Sequence, residues 1–158
     1  MVESKPSFQQ EEARAKIAEG VELMKLGVTE TIKSEVSHAT AMGVIGAGVG
    51  VVAWAWTGKS ESVWNWAKKF GRWGLVSGWF AASSNYNDYA HETGLPKVKW
   101  YDTLGASIIA NRAIEEKGPI EGVTRPVRLV IPHLVTPIST LGVRTTISGI
   151  RDLFVATY

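Results

Sequence analysis

Residues 39–58 form an uninterrupted run of 20 residues without a charged side chain, ATAMGVIGAGVGVVAWAWTG. At 1.5 Å per residue, an α-helix of this length covers roughly 30 Å, the thickness of the hydrocarbon core of a bilayer. Buried helices of water-soluble domains are usually shorter than that. The run therefore predicts a helix that crosses a membrane, with a buried helix of a soluble domain as the alternative.

Three further apolar runs follow, at residues 73–87, 103–111 and 129–143. The first would cross a membrane if the side chains of Lys69 and Arg72 extend towards the lipid headgroups. The second is too short to cross alone. The third contains Pro132 and Pro137, which interrupt helical hydrogen bonding, so we expect it to be kinked, re-entrant or shielded by protein. The pattern predicts an all-α membrane protein with two to four transmembrane helices.

The two ends of the chain differ from this apolar body. Apolar residues recur every three or four positions near the N-terminus, at Ile17, Val21, Met24, Val28, Ile32 and Val36. This spacing predicts an amphipathic helix, which either packs on a neighbouring subunit or the membrane surface or is an ordinary solvated helix with one core-facing stripe. Ile147, Ile150 and Phe154 predict a short interfacial helix at the C-terminus, with the end of a packed helix as the alternative. The predicted divisions are residues 1–37 (amphipathic head), 38–143 (membrane domain) and 144–158 (interfacial tail).

Small residues recur four apart in the first two apolar runs. This spacing lets the backbones of two membrane helices approach closely and gain dispersion contacts, which lipid does not otherwise favour between helices. The predicted helix-packing residues are Gly43, Gly46, Gly50, Gly74, Gly78 and Ala82.

Aromatic and basic residues crowd the segment between these two runs. Residues 59–72 carry four basic side chains and one acidic side chain, so the positive-inside rule puts this connection in the matrix or cytoplasm and the N-terminus on the opposite side. Tryptophans at both ends of the segment are typical of an interfacial belt. The predicted membrane-interface residues are Trp54, Trp56, Trp64, Trp66, Trp73, Lys68, Lys69 and Arg72. In a soluble protein the tryptophans would instead be core or hot-spot aromatics.

Several classes of function are disfavoured by composition. The 17 basic and 15 acidic residues leave a net charge of +2, so no nucleic-acid partner is predicted. The chain has no cysteine and its three histidines are far apart, so no metal site is predicted, and no catalytic motif or cofactor site can be read. His133 lies between two prolines in an apolar run, where ligation of a haem or pigment competes with a simple hydrogen bond to a freed carbonyl. We expect a protein that is not an enzyme.

Three stretches, residues 43–50, 70–78 and 97–105, resemble the family of inner-membrane translocase channel subunits, and within it most closely the accessory subunit of mitochondrial respiratory complex I. The likeness rests on the glycines of the first two stretches and on Lys97, Lys99 and Asp102 before Gly105. It departs from the family's loop pattern at Tyr101 and Leu104. The resemblance implies a multi-pass protein of the mitochondrial inner membrane with its N-terminus in the intermembrane space.

The expected function is that of a non-catalytic accessory subunit of a respiratory complex, complex I before the others, which stabilises the assembly. The expected partners are other subunits of that complex and membrane lipids, with cardiolipin as one candidate. The alternatives are a peripheral subunit of the membrane region of mitochondrial ATP synthase and a subunit that translocates proteins or solutes.

Overall fold

The computed structural model describes residues 7–114 and 125–157. Within these ranges the chain is helical and has no β-strand, so the predicted all-α class is confirmed. The helices are α1 (Phe8–Thr57), α2 (Glu61–Thr93), α3 (Trp100–Ile114), α4 (Arg125–Leu134) and α5 (Pro137–Val155). Among the described residues, α1 alone is long and apolar enough to cross a membrane.

Helix α1 is a single helix of 50 residues that contains both the charged head and the uncharged run. Its start is capped, because the Ser7 N–H donates to Gln10 Oε1 at 3.1 Å and the Gln10 N–H donates to Ser7 Oγ at 3.3 Å. The change from polar to apolar side chains does not interrupt the backbone hydrogen bonds. The predicted boundary between residues 37 and 38 therefore falls inside a helix.

A short turn joins α1 to α2. Gly58 has a φ of 71°, a left-handed conformation that favours glycine, and its N–H donates to the Trp54 carbonyl at 2.7 Å. Helix α2 begins at Glu61, so most of the predicted connection at residues 59–72 is helical. The basic residues of that segment lie on the first turns of α2 rather than in a loop.

The C-terminal helix is longer than the sequence suggests. Pro137 is the first residue of α5 rather than a kink within a longer helix, and Thr136 and Ser139 form a reciprocal capping box in front of it. Pro132 lies inside α4. Because α5 runs from Pro137 to Val155, it crosses the predicted boundary between residues 143 and 144.

The chain divides into two compact units. The terminal unit comprises Met1–Val28 and Thr93–Tyr158, and the hairpin unit comprises Thr29–Glu92. In the terminal unit α3 packs against α4 and α5, with Ile138 and Leu141 fully buried. The hairpin unit holds the second half of α1 and nearly all of α2.

Candidate functional site

The hairpin unit is built on an interface between α1 and α2 that has almost no side chains at its closest points. A Cβ added to Gly46 would lie 2.5 Å from the Trp66 carbonyl oxygen, and one added to Gly50 would overlap Val63 Cα. Real Cβ atoms do not approach backbone atoms so closely. The two backbones are therefore in direct contact at these glycines, as in small-residue interfaces of membrane helices.

The same interface continues along α2. A Cβ on Gly74 would lie 2.6 Å from Ala39 Cα, and one on Gly78 would lie 2.6 Å from Glu35 Cα. Ala82 is buried. Gly43 has more room, since its nearest neighbour would be the Ala67 carbonyl oxygen at 3.9 Å. Of the predicted packing residues, five are buried and Gly43 lies at the edge of the contact.

The large apolar side chains of this part of α1 point outward. Val44 and Val52 are 68% and 67% exposed, and Ile45, Val49 and Val51 are also exposed. Only 11% of the most apolar stretch of α1 is buried in the protein. A helix in the core of a soluble protein buries such residues, so this face is left for lipid or another chain to cover.

The amphipathic stripe predicted near the N-terminus differs from the face that the structure buries. Val21, Ile32 and Val36 are exposed, whereas the buried positions are Ala13, Gly20, Leu23, Gly27, Thr31 and Glu35. Four of the six buried positions are small residues, which let helices approach closely, and the other two are Leu23 and Glu35. Ile17, Met24 and Val28 of the predicted stripe are half-buried.

Basic and aromatic residues occupy the opposite, outer face of α2. Trp64, Lys68, Lys69, Arg72 and Trp73 are exposed, and Trp66 is half-buried against Phe70. The ammonium groups of Lys68 and Lys69 lie 4.8 and 5.0 Å from the ring centroids of Trp64 and Trp66, respectively. These are cation–π distances. None of the three cations forms an ion pair with a described carboxylate, unlike Lys16, Lys25, Lys33, Arg144 and Arg151.

The contacts of the glycines fix the register of the hairpin. Gly46 faces the segment from Trp66 to Phe70, so Lys68 is level with Gly46. Trp73 precedes Gly74, which meets His38 and Ala39, and is therefore level with the start of the uncharged run. Trp54 and Trp56 lie at its other end, about 24 Å away along the helix axis. The predicted interface tryptophans are therefore spread along the hairpin rather than gathered at one end.

A second glycine interface lies in the terminal unit, between the first half of α1 and α5. A Cβ on Gly142 would lie 2.6 Å from the Gly20 carbonyl oxygen, and one on Gly27 would lie 2.6 Å from the Ser139 nitrogen. Gly149 meets Ala13 and Ile17 in the same way. This interface was not predicted from the sequence. Its signal is the equal spacing of two glycines per helix, seven residues apart, at Gly20 and Gly27 and at Gly142 and Gly149.

The terminal unit also contains ion pairs that sequence reasoning missed. Arg144 donates from Nε to Asp102 Oδ1 at 3.0 Å and from Nη2 to Asp102 Oδ2 at 3.1 Å, and the Lys99 N–H donates to Oδ2 at 2.9 Å. The Asp102 side chain is 1% exposed and that of Arg144 is 42% exposed. The hydrogen bond to Asp102 raises the pKa of Arg144. This pair fixes the start of α3 on α5.

Lys16 and Asp152 join α1 to α5 near the chain ends, with 3.0 Å between Nζ and Oδ2. The hydrogen bond to Lys16, followed by that to Arg151, lowers the pKa of Asp152, and the Asp152 and Glu12 carboxylates raise the pKa of Lys16. Both groups are partly exposed, so solvent screens the interaction.

The described residues hold no group of three or more side chains that could bind a metal ion. The cavities that Lys16 lines with Asp152 and with Arg144 are open surface depressions beside the ion pairs. Comparisons of the chain with protein-family models, with curated proteins and with solved structures give no match.

Proposed function

We propose that this protein is a non-catalytic, membrane-embedded subunit that stabilises a larger assembly, with α1 as its membrane-crossing helix. The observation that carries the proposal is the inverted packing of the hairpin unit. Glycines lie inside, and Val44, Ile45 and Val52 lie outside. Water would disfavour that arrangement, whereas a bilayer or the membrane helices of other subunits would accept it.

The levels of Trp56 and Trp73 support the same crossing, and Trp64 and Trp66 lie between these two levels. Trp56 and Trp73 mark levels about 24 Å apart on the hairpin, close to the roughly 30 Å of a hydrocarbon core, and tryptophan is enriched at both membrane interfaces. Helix α2 packs beside α1 over this length. Its cations would cost about 3 kcal/mol each at the centre of a bilayer if they faced lipid, which supports a partner on that side.

The identity of the assembly rests on the sequence resemblance alone. Residues 43–50, 70–78 and 97–105 support an accessory subunit of mitochondrial respiratory complex I, in the inner membrane with the N-terminus in the intermembrane space. Membrane lipids, including cardiolipin, would fill the remaining apolar surface. Purification of the tagged protein followed by identification of co-purifying subunits distinguishes this assembly from ATP synthase and from a translocase.

The absence of cysteine from the sequence makes a direct test of the crossing possible. Single cysteines replace Val44, Val52 or, as the matched control in the turn, Ser60. In sealed membranes we expect a membrane-impermeant maleimide to label S60C from one side and to leave V44C and V52C unlabelled until detergent is added. Equal labelling of all three, or release of the protein by a carbonate wash, would contradict the proposal.

A further inference from the structure

We propose that the outer face of α2 around Lys68, Lys69 and Arg72 docks against a carboxylate-bearing surface of a partner subunit within the membrane region. This inference rests on the proposed function, because it uses the crossing of α1. The partner is defined by its chemistry, which is one or more Asp or Glu side chains on an otherwise apolar helix surface.

The Lys68 ammonium lies deep within the segment that is proposed to cross the membrane. Lys68 is level with Gly46, which lies about 10 Å from one end of the uncharged run and about 18 Å from the other. The Lys68 ammonium reaches back one turn to Trp64, which leaves it more than about 10 Å from either end. Lipid headgroups are therefore out of reach of the Lys68 ammonium if residues 39–58 cross the bilayer, whereas Arg72 lies near the level of Ala39, at one end of the run.

The charged side chains on this face of α2 are all positive, so a negatively charged partner would complement them. Residues 62–87 contain three cations and no carboxylate. Lys68, Lys69 and Arg72 form no ion pair within the described part of the chain. The α1 lysines Lys16, Lys25 and Lys33, by contrast, each pair with a glutamate three or four residues away. Ionised side chains inside membrane proteins are paired or face a polar cavity, so this face favours a partner that supplies carboxylates.

Exposed aromatic and apolar side chains surround the cations on α2. Trp64 and Trp73 are each 64% exposed beside the cations, and exposed Val76 and Phe80 extend the surface along α2. Tryptophan and arginine are among the residues that contribute most binding energy in protein interfaces. The lysines are held over indole rings, so little side-chain freedom remains to be lost on docking.

The experiment is zero-length carbodiimide cross-linking of the intact, membrane-bound assembly. This reagent joins a lysine amine to a carboxylate without a spacer. We expect cross-linked peptides that connect Lys68 or Lys69 to an Asp or Glu of one co-purifying subunit. The K68R/K69R variant keeps the charges and removes the reactive amines, so it should retain the assembly and lose these cross-links.

The charge dependence is tested with K68Q/K69Q/R72Q. We expect at least a tenfold lower recovery of the cross-linked subunit with this variant, while the carbonate resistance of the protein is unchanged. The K25Q/K33Q control removes two lysines that pair with Glu22 and Glu30 on their own helix, and should recover the subunit like the wild type.

Two results would overturn the inference. One is the absence of Lys68 and Lys69 cross-links in an assembly that stays intact. The other is a change in the role of charge. Recovery of the subunit at the wild-type level with K68Q/K69Q/R72Q would show that the cations are not needed, and recovery that depends on added anionic lipid would show that the face binds lipid headgroups. In either case carbonate-resistant protein leaves the proposed function standing, whereas release by carbonate counts against the crossing itself.

Discussion

The two halves of α1 use the same packing device in different surroundings. In the terminal unit the glycine interface with α5 is flanked by ion pairs, such as Lys16 with Asp152. In the hairpin unit the glycine interface with α2 is flanked by exposed aliphatic side chains on α1 and by cations on α2 that pair with no described carboxylate. Backbone contact between small residues therefore occurs in both units, and the two interfaces differ in the side chains that flank them.

The comparison is tested most severely in the hairpin unit. G46L/G50L would insert two large side chains where even a Cβ meets backbone atoms, so we expect the α1–α2 interface to be lost. Gly48 provides the matched control, because a Cβ there meets nothing within 4 Å. Protease sensitivity of the purified protein should rise sharply for the double variant and stay at the wild-type level for G48L. Equal behaviour of the two would show that the glycines are not at the contact.

Removal of the buried ion pair should have the next largest effect. Arg144→Met leaves the Asp102 carboxylate buried without its cation, and we expect a loss of about 2 to 3 kcal/mol in the free energy of unfolding, less than for a fully buried pair because Arg144 is partly exposed. Asp102→Asn should cost less, since Arg144 stays hydrated. Denaturant unfolding of both single variants and the double variant gives the coupling energy, and additive effects would contradict the contact.

A single added methyl group tests the interface in the terminal unit. Gly142→Ala would bring a Cβ to 2.6 Å from the Gly20 carbonyl oxygen, and the backbone must shift to accept it. We expect a net loss of about 1 to 2 kcal/mol after the gain in helix propensity. Gly105→Ala is the control, because its nearest contact would be an ordinary 3.6 Å, and it should be neutral or stabilising. Thermal unfolding measures both, and a destabilised control would refute the comparison.

The smallest expected effect is the pH dependence of the Lys16–Asp152 contact. The folded pKa of Asp152 is lowered, so its contribution is present above the unfolded value of about 3.9 and is lost as the pH falls through the folded pKa. In Asp152→Asn the free energy of unfolding should therefore fall slightly less as the pH is lowered, and it should depend less on salt. Thermal unfolding between neutral and acid pH measures this, and Glu22→Gln, which removes an exposed pair on one helix, is the control.

The sequence predicts the helical class and much of the hairpin interface, because glycine spacing along one helix is a local property. It predicts the helix ends less well. The loss of charge at residue 38 suggests a boundary, yet the backbone of α1 continues through it. Basic residues 68, 69 and 72 suggest a loop, yet they lie on α2, where their side chains point away from α1.

The contacts of the terminal unit could not be predicted from local patterns. Gly20 meets Gly142, and Asp102 meets Arg144, and these partners lie far apart in the chain. The matching seven-residue spacing of the glycines indicates that each helix has a close-packing face, but it does not identify the partner helix. The apolar stripe from Ile17 to Val36 was also misleading as a guide to burial. Large residues give the periodic signal, but Ile17, Met24 and Val28 are only half-buried, and Val21, Ile32 and Val36 are exposed.

The distance along the chain between the two sides of each glycine interface has a consequence for biosynthesis. Gly46 packs against residues 66–70, which follow it closely in the chain, so the hairpin can form soon after α2 has been synthesised. Gly20 packs against Gly142, which is synthesised several seconds later at typical rates of roughly 5 to 20 residues per second. During that interval the N-terminal half of α1 presents an uncovered glycine face, so its correct closure depends on the synthesis of α5.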